Sequence, residues 1–289
     1  MRTEKEMLDL IINTAKEDER IRAVLMEGSR ADKNALKDIF QDYDIVYVVN
    51  DVAPFYNNTE YIKRFGELLM LQMPETMRGP ANDGHFGYLM QFADGNRIDL
   101  TFDTAENCED KKDDTPLIVL LDKDGIFRQE DYNTDDRNFH VKPPNENDYF
   151  SSCNDFWWLC GMNIAKGIWR DELPIVMYMM NTWMRNELHY MIDYYIGIKN
   201  DFKVSAGKCG KYYKNFLSER HYNMYKATYS DAEYENIWKA VFTAGELFRE
   251  LAIEVGEHFN YDYLHEDDRK VTAFMKHIKN LPKDAKEIY

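Results

Sequence analysis

Two aspartates one residue apart, Asp42 and Asp44, open an apolar run that continues to Val49, and a Gly28-Ser29-Arg30 turn precedes them. A strand meant only for burial has no use for charge at its mouth. On an extended chain residues two apart face the same way, so both carboxylates point to one side while Tyr43 turns to the other. Like charges that close raise each other's pKa unless a cation neutralises them. Magnesium suits the task, because this hard ion takes one or two protein carboxylates and fills its other sites with water and phosphate oxygens. A phosphate ligand is then expected nearby. Glycine at position 28 lets backbone N–H groups approach phosphate oxygens, with the Ser29 hydroxyl and Arg30 as further donors. A third carboxylate comes from Arg97-Ile98-Asp99-Leu100-Thr101-Phe102, where Ile98, Leu100 and Phe102 form an apolar face and leave Asp99 on the opposite one. Three such carboxylates can hold two metal ions around an in-line displacement at phosphorus, with Asp99 also able to serve as general base.

The second half offers further candidates. Phe156, Trp157 and Trp158 are consecutive, so at 100° steps a helix cannot bury all three, and at least one is expected at an interface or cleft. Asp155 and Glu172 would give a cationic ligand its counter-charges, and Lys166 lies a few turns further along the same helix. The segment SAGKCGKYYKNF gathers Lys208, Lys211 and Lys214 beside two glycines in an otherwise acidic chain. It is not a Walker motif, since the spacer and terminal Ser/Thr are missing, but its charge suits an anionic leaving group.

These residues need elements to position them. Thr3 and Glu6 read as a capping box for an amphipathic helix carrying Met7, Leu10, Ile11 and Ala15 and ending near Asp18. Strands are expected over 21–26, 42–49, 87–92, 97–102 and 116–121, with Ala93-Asp94-Gly95-Asn96 closing a hairpin. Pro143-Pro144 reads as a linker, which gives domains over 1–142 and 143–289. Beyond it, spacings of three and four through Phe150, Cys153, Trp157, Cys160, Ile164 and Ile168 predict a helical bundle, as do Ile237, Val241, Phe248, Leu251 and Val255 behind a Ser230…Glu233 capping box. The charged tail from Glu266 reads as a solvated terminal segment. The fold class is therefore α+β: a mixed-sheet domain, then helices.

Hydrophobic residues make up 44% of the 289, enough for a proper core, and the net charge of −16 must lie on the surface. That charge repels nucleic-acid backbones and attracts a cationic small molecule. Cys108, Cys153, Cys160 and Cys209 form no CxxC pair, which favours free thiols in a reducing compartment. No window approaches a membrane span, and the N-terminus lacks a signal-peptide core, so a cytoplasmic protein with no membrane partner is expected. Oligomeric state is not legible.

GSR, a gap, DYD at the head of a strand and an aspartate on a later strand together resemble the nucleotidyltransferase superfamily that includes DNA polymerase beta. The stretches DERIRAVLMEGSR, FQDYDIVYVV, DGNRIDLT, LLDKDG and CNDFWWLCGMNIAKGIWRDELP are similar to the streptomycin-modifying aminoglycoside 6-adenylyltransferases, over most of the chain. This resemblance implies a polymerase beta-like domain followed by a helical domain that contributes to acceptor and nucleotide binding. It also implies magnesium-dependent transfer of AMP from ATP to a hydroxyl of streptomycin, with release of pyrophosphate and resistance to the antibiotic. By position Asp42 and Asp44 match the metal-binding pair, Asp99 the third, base-like carboxylate, and Ser29 the serine that meets the nucleotide phosphates. Asp155, Trp157, Trp158 and Glu172 are expected toward the acceptor, in a negatively charged site between the halves. A protein or RNA acceptor, as in toxin and antitoxin systems, is the alternative; the complete carboxylate trio argues against a catalytically silent nucleotide-binding module.

Overall fold

A computed structural model describes residues 1–80, 83–110, 115–134 and 140–289. The chain divides into two compact units, Met1–Asn138 and Phe139–Tyr289. The division falls ahead of Pro143-Pro144. The reason is local: Val141 is buried in the second unit's core, its N–H bonds the Val204 carbonyl, and His140 bridges to Ser205.

The first unit opens with helix α1 (Glu4–Glu17), where Thr3 and Glu6 form both bonds of the capping box. Its Met7, Ile11 and Ala15 are buried against the sheet, as their spacing requires. Strands β1 (Ile21–Glu27), β2 (Tyr43–Val49), β3 (Leu68–Gln72), β4 (Phe86–Phe92), β5 (Arg97–Asp103) and β6 (Leu117–Asp122) make one mixed sheet in the order β3-β4-β5-β2-β1-β6. The β2–β5 pair is parallel and the other four are antiparallel. Short helices α2 (Thr59–Ile62) and α3 (Ala105–Asp110) complete the unit.

Period-two alternation gives the sheet two different faces. One buries Tyr43, Ile45, Tyr47, Ile98, Leu100 and Phe102 under α1 and the aromatic residues Phe55, Tyr61 and Phe65. The other carries Ala23, Leu25, Val46 and Val48, covered by Cys108, Phe127 and Tyr132. Asp44 and Asp99 belong to that second face, at the end the smaller cluster leaves uncovered.

The second unit is helical: α4 (Glu146–Trp158), α5 (Ala165–Trp169), α6 (Leu173–Tyr178), α7 (Arg185–Lys199), α8 (Tyr213–Phe216), α9 (Glu219–Ala227), α10 (Tyr234–Phe259) and α11 (His265–Asn280). Wide π-type turns over Leu159–Ile164 and Met179–Met184 join α4 to α5 and α6 to α7. Two expectations are corrected. The Ser230…Glu233 box does not form, because α10 begins at Tyr234 with Glu233 as its cap and no side-chain bond there. The segment from Glu266 is not a solvated tail but most of α11, which buries Met275 and Ile278 and ties Asp268 to Arg249. No helix among the described residues is long and apolar enough to cross a membrane.

Candidate active site

The parallel register sets Tyr43 beside Ile98 and Asp44 beside Asp99, so adjacent strands deliver two carboxylates to one point on one face. Asp42 adds the third from the residue just before β2. One oxygen from each of the three lies within 4.8 Å of the others. Burial is the first cause that pushes the Asp44 carboxyl up to about 7, followed by the charges of Asp42, Asp99 and Glu27, with Arg97 opposing them. The like-charge effect read from the spacing is present, but desolvation outranks it.

The Gly28 turn is built against this cluster. Gly28 has φ of 70°, a left-handed value that side chains resist, and an added Cβ would lie 2.2 Å from Asp44 Oδ2. Only glycine lets backbone come that close to a carboxylate. Ser29 follows, its carbonyl and hydroxyl accepting from Gln41 Nε2 at 3.2 and 3.4 Å. Arg30 donates to the carbonyls of Asp42 and Gln41 at 2.8 and 2.9 Å and stacks on the Tyr43 ring at 3.9 Å. Its guanidinium thereby clamps the backbone that carries Asp42, a positioning task that the sequence does not reveal. The donor set is all oxygen and all anionic, the chemistry a hard divalent cation selects, so the residues fit magnesium.

The candidates of the second unit spread out. Trp157 is 2% exposed, with its Nε1–H donated to the Tyr263 hydroxyl at 3.0 Å, which makes it a core residue with no face to offer a ligand. Trp158 is the outward member of the aromatic trio, 60% exposed. It lines a cavity of about 490 Å³ with Lys166, Trp169 and Phe274, which neither Asp155 nor Glu172 lines. Both of those carboxylates are exposed, Glu172 as the residue preceding α6. Lys208, Lys211 and Lys214 are also exposed, the first two in a turn whose Gly207, Cys209 and Gly210 all have positive φ.

Two residues escape the sequence reading. Glu187 of α7 has its carboxyl pushed up to about 7, first by burial and further by the charge of Asp155 on α4. No spacing could pair them, since they sit on different helices. Arg97 reaches both Asp99 oxygens, and only the β5 alternation, which puts residues 97 and 99 on one face, hints at it.

A family model described as streptomycin adenylyltransferase matches residues 1–278. An aminoglycoside 6-adenylyltransferase of Bacillus subtilis is 36% identical over 91% of this chain and 93% of its own length. One from Campylobacter jejuni is 37% identical over 91% of each. A crystal structure of an aminoglycoside 6-adenyltransferase from Bacillus subtilis, 32% identical, is covered in full by 97% of this chain, with a TM-score of 0.49. With a carboxylate trio beside a glycine turn and a family match over nearly its whole length, the chain belongs to the streptomycin adenylyltransferase family and is a nucleotidyltransferase.

Proposed function

We propose that the protein transfers AMP from ATP to a hydroxyl of streptomycin, releases pyrophosphate, and thereby confers resistance to the antibiotic. The observation that supports this most is the convergence of Asp42, Asp44 and Asp99 beside the Gly28 turn. Asp42 and Asp44, with Asp99, would hold magnesium, which when bound neutralises phosphate charge and polarises the phosphorus centre. The backbone at Gly28, which lies against Asp44, and the Ser29 hydroxyl beside it would donate to phosphate oxygens. The acceptor oxygen attacks the α-phosphorus, the bond from that phosphorus to the bridging oxygen breaks, and the acceptor's proton passes to an Asp99 carboxylate oxygen. Lys208 and Lys211 supply positive charge to the departing pyrophosphate. A streptomycin-like acceptor is polycationic, and Asp155 with the half-buried Glu187, which feels its charge, would answer that charge, while the exposed Glu172 and Trp158 would make separate contacts. Use of ATP would suit a cytoplasmic reaction.

The test is incubation with magnesium, α-labelled ATP and separate samples of streptomycin, other aminoglycosides, RNA and protein. Label is expected on streptomycin. Label on RNA or protein and on no aminoglycoside would overturn the reading. Asp42→Asn and Asp44→Asn should each leave less than about a tenth of wild-type turnover, given the several kcal/mol a metal ligand contributes to the transition state. Their melting temperatures should not fall, since each change relieves repulsion in the cluster.

A further inference from the structure

The cation nearest the carboxylates is Arg97, the first residue of β5. The register that pairs Tyr43 with Ile98 places Arg97, one step back, beside Asp42. Alternation along β5 puts it on the face of Asp99. Its Nε meets Asp99 Oδ1 at 2.8 Å and its Nη2 meets Oδ2 at 2.5 Å, a two-pronged grip on one carboxylate, while Asp42 Oδ2 is 3.7 Å from Nε.

These are the same oxygens the trio offers to a divalent cation. A guanidinium and a doubly charged ion on one carboxylate repel each other, so each weakens the other's hold. Arg97 can leave, because its side chain is 44% exposed. A triphosphate arriving with its cation brings new anionic oxygens, and the planar fork suits phosphate as well as it suits carboxylate. We infer that Arg97 is an exchangeable counter-cation: it grips Asp99 until the metal-nucleotide binds, then passes its fork from Asp99 to a phosphate oxygen. The exchange also lifts the guanidinium from Asp99, so that the oxygen the metal leaves over is open to the acceptor's proton once nucleotide is in place. Arg97 is thus a positioning residue that couples nucleotide loading to the readiness of the base. The inference rests on the metal-nucleotide reading of the site given above.

The experiment titrates Mn2+ into wild type, Arg97→Gln and Arg97→Lys, following free Mn2+ by electron paramagnetic resonance, first alone and then with α,β-methylene ATP, which binds without transfer. Calorimetric titration of the analogue gives the nucleotide affinity, and circular dichroism checks the fold. Arg97→Gln should bind Mn2+ alone at least about fivefold more tightly, because the competing charge is gone, and the analogue at least about tenfold more weakly, because a charge-assisted bond is lost. Arg97→Lys should fall between. A merely structural role would move both affinities down together. Unchanged or weaker Mn2+ binding by Arg97→Gln, or undiminished analogue binding, overturns the inference while leaving the metal site standing. Failure of wild type to bind Mn2+ even with the analogue overturns the metal-nucleotide reading itself, and the inference with it.

Discussion

Gly28 shows how one residue type can be dictated by a neighbour's charge. Its backbone lies where any side chain would collide with Asp44 Oδ2, and its φ of 70° adds a conformational penalty to that collision. Gly28→Ala is therefore expected to cost about 1–3 kcal/mol of stability, from left-handed strain and displacement of the carboxylate. Activity should fall by at least about tenfold, since a 1 Å misplacement at a reacting centre costs up to ~100-fold. Thermal melting and turnover on one preparation check both. A stable, active Gly28→Ala protein would show that the turn tolerates rearrangement. Asp42, Asp44 and Asp99 were legible beforehand because strand periodicity assigns faces without knowledge of the fold. Arg30's clamp and Glu187's burial were not, because each depends on atoms brought in by another part of the chain.

At the level of elements, α4, α10 and α11 are joined by one buried polar network. Arg249 on α10 grips both oxygens of the 4%-exposed Asp268 at 2.5 and 2.7 Å. Asp268 also accepts from Thr272 and from the Tyr263 hydroxyl, which in turn accepts the Trp157 Nε1–H. Removing Asp268 strands the Arg249 guanidinium, which is only partly shielded from water, and leaves the Tyr263 and Thr272 hydroxyls unpaired, so Asp268→Ala should destabilise by about 2 kcal/mol, while Arg249→Met with Asp268→Leu should recover part of it. Urea unfolding of the two variants checks this. A loss in Asp268→Ala below about 1 kcal/mol, the range of an exposed pair, would mean the network contributes little. Sequence could not show this network. The charges of Glu266 to Lys270 masked the three-and-four spacing of Val271, Phe274, Met275 and Ile278, which is what folds α11 onto its neighbours. Strand β3 escaped for the opposite reason: as an edge strand it leaves Leu69 and Met70 exposed and shows no alternation. The inner strands β1, β2, β4 and β5 were legible because both of their faces obey a burial rule, whereas β6, at the opposite edge, was legible from its unbroken apolar run Leu117 to Leu121.

For the whole molecule, an excess of sixteen negative charges is tolerable only while it stays in water. At several places it does not. Burial raises the carboxyls of Asp44 and Glu187 to about 7 and that of Asp193, bonded by the Tyr213 hydroxyl, to about 6. Each folded pKa exceeds the ordinary carboxyl value near 4, so the folded protein binds more protons than the unfolded chain between about pH 4 and 7. The stability these groups contribute is fully present below pH 4 and is lost as pH rises through 6 and 7. Acidic groups held low by partners, such as Asp94 bonded by Arg2, act in the reverse sense but only at pH values below the ordinary carboxyl range. Chelator-treated protein is therefore expected to unfold at lower urea concentration at pH 8 than at pH 5.5. Asp193→Asn keeps an acceptor for Tyr213 while removing the charge, and Glu187→Gln removes the second. Together they should raise stability by on the order of 1–3 kcal/mol at pH 8, discounted for the partial exposure of Glu187, and change it little at pH 4.5. Parallel urea curves for wild type and the double variant across this range are the measurement. A gap between them that stays constant with pH would show that neither carboxyl is desolvated as its surroundings imply.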